Sequence, residues 1–309
     1  MKFVNIDAQM FINDEAFFDP LRELGEVVSF AGPPATIDEA VERASGADVI
    51  LFGVMQIPNE MIDRLPDLKI IQFLGTGINT FVDVDYAASK GILALNVSGY
   101  GSNAVAEYAI AAAFATARPF CTANQIVRSG QWQTEACEGI EIAGSKFGVA
   151  GTGSIGRLVA QKAAVLGAEV YAFDLYENEE LKAKYNVKYV SIEELFRTCD
   201  FVSLHLTVND DTKRIVNRAL LASMKPGSVL INAARSELVD NDALLDALKS
   251  KHLRAAAVDV YDQEPPTEVK LAAAETAVLT PHIGFYTRKA TDNCIITSVA
   301  SVVSAVKKL

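Results

Sequence analysis

The chain has 309 residues, half of them hydrophobic, with 28 Lys and Arg against 39 Asp and Glu, for a formal charge of -11. This length accommodates two domains of about 100–200 residues each, and the acidity argues against nucleic acid or an anionic membrane as a main partner. The four cysteines, Cys121, Cys137, Cys199 and Cys294, form no C-x-x-C pair and there are only three histidines, so no metal site is expected and a reducing, cytoplasmic setting is.

The N-terminus, Met1 to Asp7, reads as a first strand and not as a signal peptide. The apolar runs are interrupted well short of a membrane span. A strand is expected over Phe3–Ile6 and a helix over Phe11–Leu24, ending at Gly25. Further strands are expected at Val27–Phe30, Val49–Phe52, Ile70–Leu74 and Ile92–Val97. Thr36-Ile37-Asp38-Glu39 has the form of a capping box, and Pro58 suits the first position of another helix. The alternation predicts a parallel α/β domain.

At Ser98-Gly99-Tyr100-Gly101 the texture changes. A long helix is expected from about Ala104 to Ala117, apolar nearly all round, as an interdomain or subunit-interface helix would be. A second helix follows over Thr122–Ser129, then a polar loop through Gly130-Gln131-Trp132. Next comes a strand-like segment, Lys146 to Ala150, and the hexapeptide Gly151-Thr152-Gly153-Ser154-Ile155-Gly156, which reads G-x-G-x-x-G. Leu158, Val159, Ala163, Val165 and Leu166 then fall at helical spacing, and a second strand, Glu169–Phe173, ends on Asp174, 18 residues past Gly156.

Each part of that stretch has a physical task. Gly151 permits the tight strand-to-helix turn, Gly153 lets a pyrophosphate approach the backbone, and Gly156 lets helix and strand pack closely. Ser154 and Ile155 lead into a helix whose free N–H groups face the phosphates. Asp174 is placed to accept hydrogen bonds from both ribose hydroxyls of an adenosine. It would repel a 2′-phosphate, and Leu175-Tyr176-Glu177-Asn178-Glu179-Glu180 offers no cation before Lys182. The expected cofactor is therefore NAD and not NADP.

Strands follow at Phe201–Leu206, Val229–Ala233, Ala255–Val260 and Val278–Leu279, with a capping box at Ser191-Ile192-Glu193-Glu194 and a last amphipathic helix over Tyr286–Lys308. Three patches after these strands carry chemistry. Arg235 offers a planar fork that matches a carboxylate. His282 can exchange a proton with an alcohol or carbonyl oxygen. Glu264 can pair with His282 and orient its ring. In a doubly wound sheet, ligands sit beyond the carboxyl ends of the strands, where these residues and the glycine turn all fall.

Over essentially its full length the chain resembles the D-isomer-specific 2-hydroxyacid dehydrogenase family. The resemblance rests on the glycine turn at 151, Val105-Ala106-Glu107, Arg128 to Trp132, Met224-Lys225-Pro226-Gly227, Asn232 to Arg235, Asp259-Val260 with Glu264-Pro265, and Pro281-His282-Ile283. It implies two doubly wound parallel-sheet α/β domains, a Rossmann cofactor domain over 99–286 and a flavodoxin-like substrate domain over 1–98 and 287–309, with a cleft between them. It implies NAD-dependent oxidation at the CH–OH group of a small 2-hydroxy acid, or reduction of the 2-keto acid, with Arg235 and His282 binding and protonating substrate and Glu264 supporting the histidine. Asp259 and the Ala233 carbonyl would hold the nicotinamide carboxamide, and His205, Leu206 and Thr207 would line the adenosine side. Thr76 and Gly77 resemble the loop that binds the substrate carboxylate through backbone N–H groups, a geometry that forms an anion nest. A homodimer is implied as well.

The chain departs from the family pattern at Thr207, where Pro is usual, and at Ser236, where Gly usually follows the catalytic arginine. A competing reading is an NAD-sensing scaffold similar to corepressors of the same fold, binding dinucleotide with little turnover.

Overall fold

The computed structural model describes residues 1–9 and 12–309, so Phe11, where the first helix is expected to begin, lies outside the described residues. The chain divides into two compact units, Met1–Gly101 with Tyr286–Leu309, and Ser102–Phe285. The division expected after residues 98 and 286 falls after residues 101 and 285.

The first unit holds a five-stranded sheet of β1 (Lys2–Asn5), β2 (Glu26–Ser29), β3 (Val49–Phe52), β4 (Ile70–Phe73) and β5 (Leu93–Leu95). Its order is β2-β1-β3-β4-β5 and every pairing is parallel. Alternate strand residues face opposite sides. Val4, Ile50, Phe52, Ile71 and Phe73 enter one core with the helices Ile37–Arg43, Asn59–Asp63 and Val84–Ser89. Phe3, Val49, Leu51 and Ile70 enter another against Ile295, Val299 and Val302 of the last helix, Arg288–Val306. Thr36 caps its helix by accepting the Glu39 N–H at 3.2 Å, while the Glu39 carboxylate reaches back to the Ala35 N–H. Pro58 is the N-cap of Asn59–Asp63 and not its first residue, because its ψ of 157° is extended. Where one helix was expected before Gly25, the described chain has a 3-10 turn, Glu15–Phe18, and a short helix, Asp19–Arg22.

The second unit holds seven strands, β6 (Lys146–Ala150), β7 (Glu169–Phe173), β8 (Lys188–Tyr189), β9 (Phe201–Leu204), β10 (Val229–Asn232), β11 (Ala255–Val258) and β12 (Ala277–Leu279). The order β12-β11-β10-β9-β6-β7-β8 is all parallel, with the direction of winding reversed between β6 and β9. Both faces are covered, which is why these strands read as unbroken apolar runs. Val202, Leu204, Leu230, Ala256 and Val258 face the helices Ile192–Thr198, Arg218–Ser223 and Asn241–Lys249. Phe147, Val149, Val170, Phe201, Ile231 and Ala257 face the helices Ser102–Ala117 and Gly156–Val165.

The long helix packs against the sheet of its own unit. It starts at Ser102, and Ala106, Ala109, Ala113 and Ala117 are fully buried within its own unit, in the core that also holds β10 and β11. Small side chains allow this close approach. The helix after it, Phe120–Arg128, has no buried residue and leaves Phe120, Val127 and the nearby Trp132 at 59, 58 and 83% exposure.

Candidate active site

The strand ends of the second unit lie in one row. Phe173 pairs with Ala150, Ala150 with Leu204, Leu204 with Asn232, Asn232 with Val258, and Val258 with Leu279. The next residue on each strand is therefore, across the sheet, Asp174, Gly151, His205, Ala233, Asp259 and Thr280. Arg235 and His282 follow two residues past Ala233 and Thr280. Parallel register thus carries residues more than 100 positions apart to a single edge. Strand hydrogen bonding continues one step into the row, His205 N–H to Ala150 O at 2.7 Å and Asp259 N–H to Asn232 O at 3.0 Å, although the strands themselves end at Leu204 and Val258, short of the expected Leu206 and Val260.

The glycine turn fits a dinucleotide. Gly151 has φ +93°, and a Cβ there would meet the His205 carbonyl oxygen at 2.6 Å. At Gly156 a Cβ would lie 1.8 Å from the Gly151 carbonyl oxygen, so no side chain fits between helix and turn. At Gly153 a Cβ would meet nothing within 4 Å, which leaves open space over that backbone. Ser154 is exposed, and Ile155, the N-cap of Gly156–Val165, provides no side-chain cap. The first N–H groups of that helix are thus without a side-chain acceptor, the arrangement that receives a phosphate.

Asp174 is half-buried and already well coordinated. Its Oδ2 accepts the Thr152 N–H at 2.6 Å and the Thr152 hydroxyl at 3.2 Å, and its Oδ1 accepts the Tyr176 N–H at 3.1 Å. Of about four acceptor sites on a carboxylate, three are taken. His205 hydrogen-bonds through Nε2 to the Ser203 hydroxyl at 2.8 Å, and its Nδ1 is buried without a partner. Burial pushes its pKa down to about 3, so the ring is neutral at physiological pH. Thr207 is exposed in the loop beyond, and its carbonyl accepts the Thr212 hydroxyl at 2.6 Å.

At the other end of the row stands a histidine–glutamate pair. His282 Nδ1 lies 2.5 Å from Glu264 Oε2, and Glu264 Oε1 accepts the Tyr261 N–H at 2.9 Å. Partial burial works to raise the Glu264 pKa. The hydrogen bonds from His282 and Tyr261, with the charges of His282 and Arg235, outweigh it and hold the carboxyl below the usual range. His282 has φ +53°, a left-handed conformation that few non-glycine residues adopt. Such strain persists where the surroundings enforce it, and here the enforcer is Asp259. This carboxylate is 1% exposed and accepts the Thr280 hydroxyl at 2.6 Å, the Ile283 N–H at 2.9 Å and the Gly284 N–H at 2.7 Å, bracketing His282. Because the Thr280 hydrogen goes to Asp259, the Tyr108 phenol donates to the Thr280 oxygen, at 2.5 Å. Burial pushes Tyr108 up to about 12, so it remains a donor.

Arg235 is exposed, with Nη1 donating to the Ala234 carbonyl at 2.7 Å. The Asn232 side chain clamps its turn, donating to the Arg235 carbonyl at 2.9 Å and accepting the Ala234 N–H at 3.1 Å. Ser236, where the family usually has Gly, is 2% exposed and donates to Asp262 while accepting from Asn241, so its hydroxyl has a packing purpose.

Thr76 and Gly77 belong to the first unit. Gly77 has φ +92°, and the Thr76 hydroxyl donates to the Val97 carbonyl at 2.8 Å. Sequence reading did not single out Tyr108 or Tyr189, and it placed Thr280 in the patch of His282 without giving it a part. Their parts are set by hydrogen bonds across up to 172 positions, and nothing in the local pattern marks them.

Comparison with known proteins finds clear relatives. Residues 110–284 match the family model described as D-isomer specific 2-hydroxyacid dehydrogenase, NAD binding domain. The chain is 36% identical over 256 residues to the D-3-phosphoglycerate dehydrogenase of Mycobacterium bovis, covering 82% of this chain and 48% of that one. It thus spans about half the length of that relative. It is 35% identical over 257 residues to the hydroxypyruvate reductase of Thermotoga maritima, covering 82% of this chain and 83% of that one. An acyclic imino acid reductase solved in complex with NADPH and D-Arg superimposes with a TM-score of 0.86 at 28% identity, covering 100% of this chain and 98% of the other.

Proposed function

Since the chain belongs to the D-isomer specific 2-hydroxyacid dehydrogenase family, we propose that it is an NAD-dependent oxidoreductase interconverting a small 2-hydroxy acid and its 2-keto acid. The observation that carries this reading is the His282–Glu264 pair at 2.5 Å, on the same sheet edge as the glycine turn.

NAD(H), when bound, supplies or takes the hydride. The chain's own residues do the rest. The N–H groups at the start of Gly156–Val165 receive the pyrophosphate. Asp174 accepts a ribose hydroxyl at Oδ1; with three sites already filled, one strong bond replaces the two expected. His205 and Thr207 line the adenosine side. Asp259 and the Ala233 carbonyl hold the carboxamide, and Asp259 has one acceptor site beyond its three internal donors. Arg235 grips the substrate carboxylate and carbonyl oxygen with its fork. Thr76 and Gly77 bind a carboxylate through their N–H groups.

The proton is carried by His282. Because Nδ1 faces Glu264, the exchangeable proton sits on Nε2. In reduction Nε2 donates it to the oxygen on which negative charge grows; in oxidation the neutral ring takes it back. Glu264, held ionised, favours the imidazolium before transfer and fixes the ring.

The protein is proposed to form a homodimer. The exposed Phe120, Val127 and Trp132 support an interface there better than the helix Ser102–Ala117 does. A reducing, cytoplasmic setting is proposed from four free cysteines. Among the described residues no helix is long and apolar enough to cross a membrane.

The test is a panel of 2-keto acids, including pyruvate, hydroxypyruvate and bulkier side chains, assayed with NADH and with NADPH by nicotinamide absorbance. Turnover with NADH on at least one acid is expected. Tight NADH binding without turnover on any acid would replace this reading by that of an NAD-sensing scaffold.

A further inference from the structure

The polar groups behind the glycine turn form a chain that runs in one direction. The Asn178 N–H donates to the Tyr189 phenol oxygen at 2.9 Å. The phenol donates to the Thr152 hydroxyl at 2.9 Å. The Thr152 hydroxyl donates to Asp174 Oδ2 at 3.2 Å, beside the 2.6 Å bond from its own N–H. Thr152 is 6% exposed and Tyr189 half-buried.

The direction is forced by the donor inventory. A backbone N–H only donates, so at its contact with Asn178 the phenol acts as acceptor. The phenol's single hydrogen is then available to Thr152. A carboxylate only accepts, so the single hydrogen of Thr152 points to Asp174. Each hydrogen bond in such a series polarises the next. The carboxylate torsion of an Asp is intrinsically broad. With Oδ2 anchored from the protein side, and Oδ1, among the described residues, held by the Tyr176 N–H, the remaining acceptor site on Oδ1 keeps one orientation.

We propose that Tyr189 and Thr152 are positioning residues for cofactor selection, acting through Asp174 to hold it ready for the adenosine ribose hydroxyl. This rests on the reading of Asp174 given above. Tyr189 lies on β8, the outermost strand, and touches no part of the proposed reaction centre. Its effect should therefore be confined to binding the adenosine half, and to the dinucleotide that has a free 2′-hydroxyl there.

The experiment is a double-mutant cycle on cofactor affinity, read by quenching or enhancement of nicotinamide fluorescence with no substrate present. Asp174→Ala, Tyr189→Phe, Thr152→Val and Thr152→Ser are compared, with each of the two hydroxyl deletions also made in the Asp174→Ala background. Tyr189→Phe and Thr152→Val are each expected to raise the Kd for NADH by about 2- to 10-fold, the worth of one neutral hydrogen bond. The Kd for NADPH should rise less, narrowing the NADH preference. Thr152→Ser, which keeps the hydroxyl, should behave as wild type. In the Asp174→Ala background both deletions should fall silent, as required if they act through that carboxylate. An equal loss for NADH and NADPH, an undiminished loss in the Asp174→Ala background, or no loss at all would overturn the proposal and leave the dinucleotide site standing. If Asp174→Ala itself leaves NADH binding unchanged, the ribose reading falls and the positioning role with it. Thermal unfolding of each variant separates a packing defect, which would lower both affinities together.

Discussion

His282 Nδ1 and Glu264 Oε2 lie 2.5 Å apart, and the histidine that makes this contact has a left-handed backbone, φ +53°. The strained loop aims the ring; the carboxylate holds it. Removing the ring should expose how much of the rate depends on it. His282→Ala is expected to lower kcat by roughly 10²–10⁴-fold, the usual contribution of a positioned acid–base group, with NADH affinity nearly unchanged. Steady-state rates beside fluorescence titration of NADH check this, and near-normal turnover would send the proton to another group.

The pH profile tests Glu264 separately. Its carboxyl is held below the usual range, so it is ionised throughout the neutral region, and in the proposed mechanism it stabilises the imidazolium that reduction needs. Reduction should fade as pH rises and oxidation should improve. In Glu264→Gln the anionic partner is gone, and the fall of the reductive rate should move to lower pH. An unmoved limb in initial-rate profiles would mean that the pair does not govern proton transfer.

Arg235 is exposed and, among the described residues, hydrogen-bonds a neighbouring carbonyl through Nη1, which leaves most of its donors for a ligand. Arg235→Lys keeps the charge and loses the planar fork. The expected result is a KM for keto acid raised roughly 10- to 100-fold, the worth of one to two charge-assisted hydrogen bonds. A KM within a factor of two of wild type would argue against bidentate binding.

Asp259 brackets His282 with three accepted hydrogen bonds. Asp259→Asn turns one oxygen into a donor that must face another donor. Leaving such a buried group unsatisfied costs about 1–3 kcal/mol. Denaturant unfolding should show that loss, accompanied by a lower kcat as the His282 loop relaxes. Retained stability with full activity would show that the loop is held by other contacts.

His205 gives a prediction on stability. Its folded-state pKa is about 3, against about 6.5 for an unfolded histidine. Between those values the unfolded chain binds the extra proton, so stability rises with pH. The neutral ring's contribution is fully present above about pH 6.5 and is lost as pH falls through the window, with a slope of about 1.4 kcal/mol per pH unit. His205→Gln should remove this slope. Urea unfolding of both proteins at several pH values decides it; parallel curves would show that the ring is accessible to protons in the fold.

By itself the sequence determined the alternating α/β plan, the strand–glycine–helix stretch at Lys146 to Gly156 with Asp174 beyond it, and the chemical types at Arg235, Glu264 and His282. These are local signals, since apolar runs, glycines and caps report on neighbours in the chain. Residue boundaries were less legible. Strand ends at Leu204 and Val258 follow from where adjacent strands stop, and sequence alone does not carry that. The packing of the helix Ser102–Ala117 was not legible for the same reason, as its apolar sequence does not say that it meets sheet and helix within its own unit. Only the tertiary structure decided that Asp259 grips the His282 loop, that Tyr108 reaches Thr280, and that Tyr189 stands behind Asp174 through Thr152. The physical reason is that hydrogen bonds select by distance and angle in space, and parallel register places six strand ends side by side whatever their separation along the chain.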